Sequence, residues 1–456
     1  MAFVEEIQNA LKQHPSLSFV DLLLRDHKNA ELFLVGGALR DSLLRRPIGD
    51  MDFVIRGIEL DAIIAWLQKH GTADVVGKTF GVIKFRPHSR TPLLHKEGQG
   101  MVTYDIALPR TEQSLPNSLG GYRDSSVQSD PNLSIEDDLA RRDFTINAMA
   151  YDVRNQNLID PFRGQDDLEK KWIRAVGDPS ERFREDLTRI LRAVRFAAQL
   201  HFAIEPSTLE AIKKCASELN RIKKTDGKNS YVVARETIGE ELAKAFSSQP
   251  FFTACTLEKT GLLEELFPGV ARSLHLDPHY FVPLGKLEEG HRDLAIMLFM
   301  RGLTGEETQT AIRFTGLDTL AKSSPYRLHT ERIVWVVSKL HGSPSPDDVV
   351  RMRTSQFEKQ VMSEHGRHHL KALTYLENNA VAQAAQKRRD EICARWNCED
   401  REPIPVLLGG DDLLRLGIPA GVRVREILED VRDRQLDGHL LTREAALAWV
   451  RKLIDS

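Results

Sequence analysis

At 456 residues the chain has room for about three domains of ~150 residues, and a composition 41% hydrophobic and 28% charged is that of a globular protein rather than a disordered one. The formal net charge of −3 means that any attraction for nucleic acid must come from local basic surface. Four scattered cysteines (Cys215, Cys255, Cys393, Cys398) exclude a disulfide framework and suit a reducing cytosol, no stretch approaches ~20 apolar residues, and MAFVEEIQNALKQH lacks the layout of a secretory signal.

In chain order, residues 1–30 read as a helical lead-in, with Phe3, Ile7 and Leu11, then Val20, Leu23 and Leu24, at helical spacing. ELFLVGG is a short apolar run stopped by two glycines, hence a buried strand and a tight turn. ALRDSLLRR follows as a helix, MDFVIRG as a second strand, Leu60 to His70 as a helix, and GVIKFRP and MVTYDIALPR as two further strands. Residues 111–137, rich in Ser, Pro, Asn, Gly and Asp, read as a long loop of the kind that is usually functional or disordered. From about residue 164 the pattern is helical nearly to the end: LEKKWI, FREDLTRILRAVRFAAQL and PSTLEAIKKCASEL each carry the 3.6-residue period.

The densest chemistry lies in residues 34–55. Asp50 and Asp52 are one residue apart at the start of a strand, so both carboxylates point to the same side. Two converging carboxylates repel unless a cation lies between them, and Mg2+ takes such oxygens together with substrate phosphates. Asp105, in a neighbouring strand, is a third carboxylate, fit to act as general base or to bridge a second metal. Gly36 and Gly37, between strand and helix, let backbone approach a triphosphate at a helix N-terminus, and Arg40 one turn on adds a charge-assisted contact.

GGxxRD followed by DxD resembles the polymerase-β-like nucleotidyltransferase superfamily. EDDLARRDFTINAMAYD (136–152) and DPFRGQDDLEKKWIRAVGDPSERFREDLTRILRAVRFA (160–197) narrow the resemblance to the class II tRNA nucleotidyltransferase and bacterial poly(A) polymerase family, over roughly residues 31–245. The resemblance implies an α+β fold: a nucleotidyltransferase head with a mixed sheet (1–152), then a helical neck with a nucleotide-templating helix (153–250), a helical body (251–345) and a helical tail for tRNA (346–456). It implies a cytoplasmic, Mg2+-dependent enzyme with Asp50 and Asp52 as metal ligands. Its partners would be CTP, ATP and the 3′ end and acceptor arm of tRNA, with no membrane and no protein partner. In that family Arg142, Arg192 and Arg195 bind the incoming nucleotide, and Asp143 and Asn147 arrange its ribose and phosphates.

Glu185, Asp186 and Arg189 form the EDxxR that serves the family as a protein template. Asp186 and Arg189, three apart, read as neighbours on one face of a helix. Asp186 only accepts hydrogen bonds and Arg189 only donates them, which matches the amino group and ring nitrogen of cytosine and of adenine. Uracil and guanine would set a carbonyl against Asp186 and leave buried groups unpaired. Glu185, by resemblance, holds Arg189, and Arg189, Arg192 and Arg195 read as a basic stripe suited to a triphosphate.

Poly(A) polymerases of the family carry a basic motif after the second strand, where this chain has VGKTFGVIKF (76–85), which looks like the CCA-adding version. The long loop matches relatives able to switch from CTP to ATP, whereas an enzyme adding only the terminal A shares every motif above. Residues 275–293 hold His275, His279, His291 and Asp293 without an adjacent His-Asp pair, so the phosphohydrolase module of some relatives reads as absent. The HGRHH run (365–369) reads as solvated or phosphate-facing rather than as a metal site. Residues 181–224 hold ten Lys or Arg against six acids, a local net of +4 where phosphate attraction could begin.

Overall fold

The computed structural model describes residues 7, 17–48, 51–76, 82–88, 103–114, 118–121, 125–225, 227–288, 290–340, 342, 345–376, 379–396 and 405–455. The chain forms two compact units, Met1–Glu265 and Leu266–Ser456.

The first unit opens with α1 (Ser18–Asp26), β1 (Glu31–Val35), α2 (Gly36–Leu43), β2 (Met51–Arg56), α3 (Leu60–His70), β3 (Gly71–Val76), β4 (Val82–Pro87) and β5 (Tyr104–Ala107). It continues with β6 (Arg110–Ser114), β7 (Ser125–Ser129), α4 (Ile135–Ala140), β8 (Ala150–Asp152) and β9 (Asn157–Ile159). Seven strands form one mixed sheet in the order β3-β4-β5-β2-β1-β8-β9, with β2 and β5 parallel and the other pairs antiparallel.

The period of two explains the sheet's division of labour. Met51 and Phe53 of β2 pair with Tyr104 and Ile106 of β5, which pair in turn with Phe85 and Ile83. That face is apolar and buried, and Phe19 of α1 packs its ring 5.0 Å from Phe85 and 5.2 Å from Tyr104. Asp52 points the other way. It lies level with Asp105, which lies level with Lys84, so a charged row crosses the opposite face. Over β1 and β8 that opposite face is closed instead by an apolar cluster of Phe33, Val35, Val54, Ala150, Ile135, Leu139 and Val176. One end is covered and the other is left as a cleft.

After β9 come α5 (Gly164–Lys170), α6 (Pro179–Glu185), α7 (Thr188–Leu200), α8 (Pro206–Cys215) and α9 (Arg235–Ser248). Three expectations need correction. LEKKWI does not stay helical: Lys171 turns left-handed (φ +56°), and Trp172–Ile173 pairs in parallel with Ala203–Ile204. Residues 111–137 are not one loop, since β6 and β7 form an antiparallel hairpin and α4 starts at Ile135. The predicted helix through FREDLTRIL is broken at Asp186, whose backbone is extended (φ −151°, ψ 104°). A further short hairpin, Ile222–Thr225 against Lys228–Tyr231, interrupts the helical run before α9.

The second unit is helical from Pro268–Leu276 to Arg443–Asp455, with separate apolar clusters around Phe357 and Leu373 and around Leu413 and Val431. Its HGRHH run lies in the helix Glu364–Tyr375, where burial pulls His369 down to about 4, with Lys339 adding to the shift. No helix among the described residues is long and apolar enough to cross a membrane.

Candidate active site

A cleft of about 650 Å3 in the first unit collects most of the residues singled out from the sequence: Gly36, Gly37, Arg40, Asp52, Asp105, Arg142, Asp143, Asn147, Asp186, Arg189 and Arg192. Asp50 lies outside the described residues. Glu185 and Arg195 do not line the cleft but bind residues that touch it.

Its floor is the charged row of the sheet. Asp52 and Asp105 sit side by side on the parallel strands β2 and β5, and Lys84 Nζ stands 3.8 Å from Asp105 Oδ1. Above Asp52 the chain leaves β1 and enters α2 at Gly36, with φ at +72°, where a side chain is strained. A Cβ there would stand 3.2 Å from Asp52 Oδ2 and 3.4 Å from Arg142 Nη1. Glycine therefore leaves room between a carboxylate and a guanidinium. No side chain caps α2, so the first-turn N–H groups remain for solvent or for an anion. Among the described residues no group of three or more metal-ligating side chains gathers. Asp52 and Asp105 supply hard oxygen donors on one face, and this pair fits a divalent cation of the Mg2+ type.

One wall is a chain of hydrogen bonds running from α2 to α7. Arg40 Nη1 donates to Asn147 Oδ1 at 2.8 Å, and Asn147 Nδ2 donates to Asp143 Oδ1 at 3.2 Å. Asp143 Oδ2 accepts from Arg192 Nε at 2.8 Å and Nη2 at 2.6 Å. Burial pushes the Asp143 carboxyl up, but Arg192, Asn147 and the Phe144 N–H outweigh it and hold the group down at about 2. Arg142 and Arg141 both reach the fully buried Asp138, at 3.2 and 2.8 Å. Against burial, these guanidiniums keep Asp138 below the usual carboxylate range. The RRD segment is thus fixed by the Asp138 carboxylate at its two arginines and by Arg192 and Asn147 at its aspartate.

The opposite wall is the break between α6 and α7. Asp186 Oδ1 accepts from Thr188 N at 2.9 Å and from Thr188 Oγ1 at 2.6 Å, a local turn that halts α6 and starts α7. Burial raises the Asp186 carboxyl above its ordinary range, only partly opposed by Thr188 and by Arg189. Asp186 and Arg189 are therefore not neighbours on one helix: Asp186 precedes α7 and Arg189 lies in its first turn. Arg189 is buried and clamped. Its Nη1 donates to Glu185 Oε2 at 2.7 Å and to the Arg182 carbonyl at 3.1 Å, and its Nη2 to the Arg141 carbonyl at 3.1 Å.

The expected triphosphate stripe also changes. Arg192 is paired with Asp143, and Arg195 Nε donates to Glu241 Oε2 at 2.5 Å while its guanidinium lies 4.0 Å over the Phe196 ring. Arg40 and Arg192 approach the same ring at 5.2 and 5.4 Å. Arg192 and Arg195 thus each already carry a carboxylate partner, and of the two Arg192 lines the cleft. The sequence reading missed Asp138, Glu112, Thr188, Phe196 and Glu241. Glu112 of β6 accepts from Arg141 Nη1 at 2.6 Å and lies 3.8 Å from Arg189 Nη2, which ties the hairpin to the wall formed by Asp186 and Arg189. Two of these left a local signal: Thr188 as the residue two after an Asp, and Asp138 as the carboxylate three and four residues before Arg141 and Arg142. Glu112 and Glu241 act across 29 residues or more, and Phe196 through packing.

Residues 32–174 match the family model described as Poly A polymerase head domain. The chain is 36% identical over 279 residues to a multifunctional CCA protein of Xylella fastidiosa, covering 58% of each, and 36% identical over 241 residues to one of Chromobacterium violaceum, covering 53% of this chain and 51% of that one. The chain thus spans little more than half the length of these curated relatives. In fold it is similar to the Bacillus stearothermophilus CCA-adding enzyme in complex with CTP (TM-score 0.67, 23% identity, 97% and 98% of the two chains). The Thermotoga maritima CCA-adding enzyme complexed with tRNA is a second neighbour (TM-score 0.58, 22% identity, 96% of each chain).

Proposed function

We propose, on the premise that residues 32–174 belong to the Poly A polymerase head-domain family, that this chain is a template-independent nucleotidyltransferase that builds the 3′ CCA end of tRNA from CTP and ATP. The observation that carries the reading is the meeting, in one cleft, of the Asp52–Asp105 pair, the glycine-led start of α2 and the Asp186–Arg189 wall. Head 1–152, neck 153–250, body 251–345 and tail 346–456 are the domains of this proposal.

In the proposed reaction the RNA 3′ hydroxyl attacks the α-phosphorus of the nucleotide, a new phosphodiester forms and pyrophosphate leaves. Asp52 and Asp105, with Asp50, would hold Mg2+, which when bound neutralises phosphate charge and favours the ionised hydroxyl. The first N–H groups of α2 and the Arg142 guanidinium beside Gly36 receive the triphosphate. The Arg40–Asn147–Asp143–Arg192 chain keeps that end of the cleft rigid.

Base choice follows from which atoms remain for the ligand. Both bonds from Thr188 fall on Asp186 Oδ1, leaving Oδ2 to accept from the amino group of cytosine or adenine. Arg189 spends Nη1 on Glu185 and Arg182 and one Nη2 hydrogen on Arg141, leaving Nε and the second Nη2 hydrogen for the ring nitrogen. Uracil and guanine would set an oxygen against Oδ2.

The test is incubation of the purified chain with tRNA ending before the first C, after C and after CC, with CTP and ATP supplied separately. Full repertoire gives two C additions and one A. Growth only from the CC end with ATP would mark an A-adding enzyme, and long A tracts on unrelated RNA a poly(A) polymerase.

A further inference from the structure

The hairpin Ile222–Thr225/Lys228–Tyr231 does not line the cleft described above, and it is exposed along the whole of its second strand. A two-stranded ribbon is marginal by itself. This one is pinned at its root: Val232 N donates to the Arg221 carbonyl at 2.9 Å, Arg235 donates twice to Asn220 Oδ1 at 3.1 Å, and Asn220 Nδ2 donates to the Glu265 carbonyl at 2.9 Å. The Arg235 guanidinium also lies 3.5 Å over the Tyr231 ring. Arg235 begins α9, and Thr237 and Glu241 of α9 line the cleft. The ribbon is thus fixed within one helical turn of the cleft wall.

Its chemistry is one-sided. Residues 213–235 hold seven Lys or Arg and two acids, a net of +5 in a chain whose total is −3. Lys223 and Lys228 share a face as diagonal neighbours, since Lys223 pairs with Ser230 and Thr225 with Lys228, a spacing of roughly 7–8 Å. Lys224 lies on the other face with Ile222 and Tyr231, which are 55% and 37% exposed. No carboxylate among the described residues pairs with Lys224 or Lys228. A polyanion laid along such a lysine-rich ribbon is favoured by the release of its own counterions.

We infer that this hairpin is a phosphate-backbone contact for the RNA substrate, holding the acceptor duplex beside the cleft without reading its sequence. The inference rests on the proposed function for the identity of the RNA. Lysines on both faces of a ribbon suit backbone phosphates, and the exposed Ile222 and Tyr231 supply an apolar edge for sugar or an unstacked base. Nucleotide selection is left to Asp186 and Arg189.

The experiment compares the full chain with Lys223→Ala/Lys224→Ala/Lys228→Ala and with the matching triple Lys→Arg variant, using an acceptor-stem and T-arm minihelix over a KCl series. Each phosphate contact contributes about 0.7–0.9 to the slope of log K against log salt, so the alanine variant loses about 2 to 3. KM for the minihelix rises about tenfold or more, KM for CTP and ATP and kcat stay as in the parent, and the arginine variant recovers the slope. An unchanged slope and RNA KM, an equal rise in nucleotide KM, or failure of arginine to restore binding overturns the inference. A parent chain that binds the minihelix with a hairpin-dependent slope but adds no nucleotide leaves this inference standing and removes the proposed function. A parent that does not bind it removes both.

Discussion

Replacing Asp186 by Asn probes base choice with a single atom. Thr188 N and Oγ1 both donate to Asp186 Oδ1, at 2.9 and 2.6 Å. In Asp186→Asn the amide oxygen must stay in that place, because turning the NH2 inward would set it against the Thr188 N–H donor, leave that N–H unpaired and cost about 1–3 kcal/mol. The amide nitrogen then occupies the position of Oδ2, and an acceptor facing the base becomes a donor. CTP and ATP lose a hydrogen bond to a charged group, about 1.5–3 kcal/mol, or roughly ten- to 150-fold in kcat/KM. UTP, whose carbonyl replaces the cytosine amine, gains an acceptable partner of about 1 kcal/mol. The CTP-to-UTP preference should therefore fall by about a hundredfold or more. The assay is single-nucleotide extension of tRNA ending before the first C, with kcat/KM measured for all four nucleotides. A variant that loses activity on all four alike, with its CTP-to-UTP ratio within about threefold of the parent, refutes the assignment of Asp186 to the base.

Two further outcomes follow from the same geometry. Asp143 sits at about 2 in the folded chain against 3.8 as its reference, so it contributes stability that is complete above about pH 4 and is lost as pH falls toward 2. That shift is worth about 2 kcal/mol, and Asp143→Asn should lose it at pH 7 and flatten the acid limb of urea-unfolding stability; parallel acid limbs would count against the Asp143–Arg192 pair. Gly36→Ala should cost about 1 kcal/mol or more through its positive φ and push Asp52 Oδ2 from 3.2 Å contact, lowering kcat well before Tm explains it; unchanged turnover would show that the space beside Asp52 is not used.

What the sequence could show was set by how local each signal is. The strand–glycine–helix at 31–43 and the Asp at the head of β2 are written in consecutive residues, and α3 begins and ends at Leu60 and His70, where the apolar period does. The β6–β7 hairpin was not legible because RTEQS and SSVQS carry no apolar alternation, whereas what the structure shows joining them is a backbone ladder. β3 lies at the sheet edge with Val75 and Val76 exposed, so its pattern never alternates cleanly. The break at Asp186 hid inside an unbroken 3.6-residue period, because Leu187 and Ile190 stay buried on either helix phase while one aspartate turns the backbone. In the site, Gly36, Arg40 and Asp52 were found through spacing. The carboxylates that restrain the arginines were not: the partners of Glu112 and Glu241 lie on other elements, and Asp138 was passed over although Arg141 and Arg142 stand three and four residues after it.

The central claim is that the Asp52 face of the sheet performs the nucleotidyl transfer while RNA is held elsewhere. Single-turnover addition of CMP to tRNA by Asp52→Asn, measured beside the dissociation constant of that tRNA, tests it most directly. Removing one carboxylate from the charge-neutralising pair removes several kcal/mol of transition-state stabilisation, and about 4 kcal/mol is roughly a thousandfold in rate. The account predicts that loss with tRNA affinity changed less than about threefold. Addition at near the parent rate, or a loss of rate matched by an equal loss of tRNA binding, would contradict it.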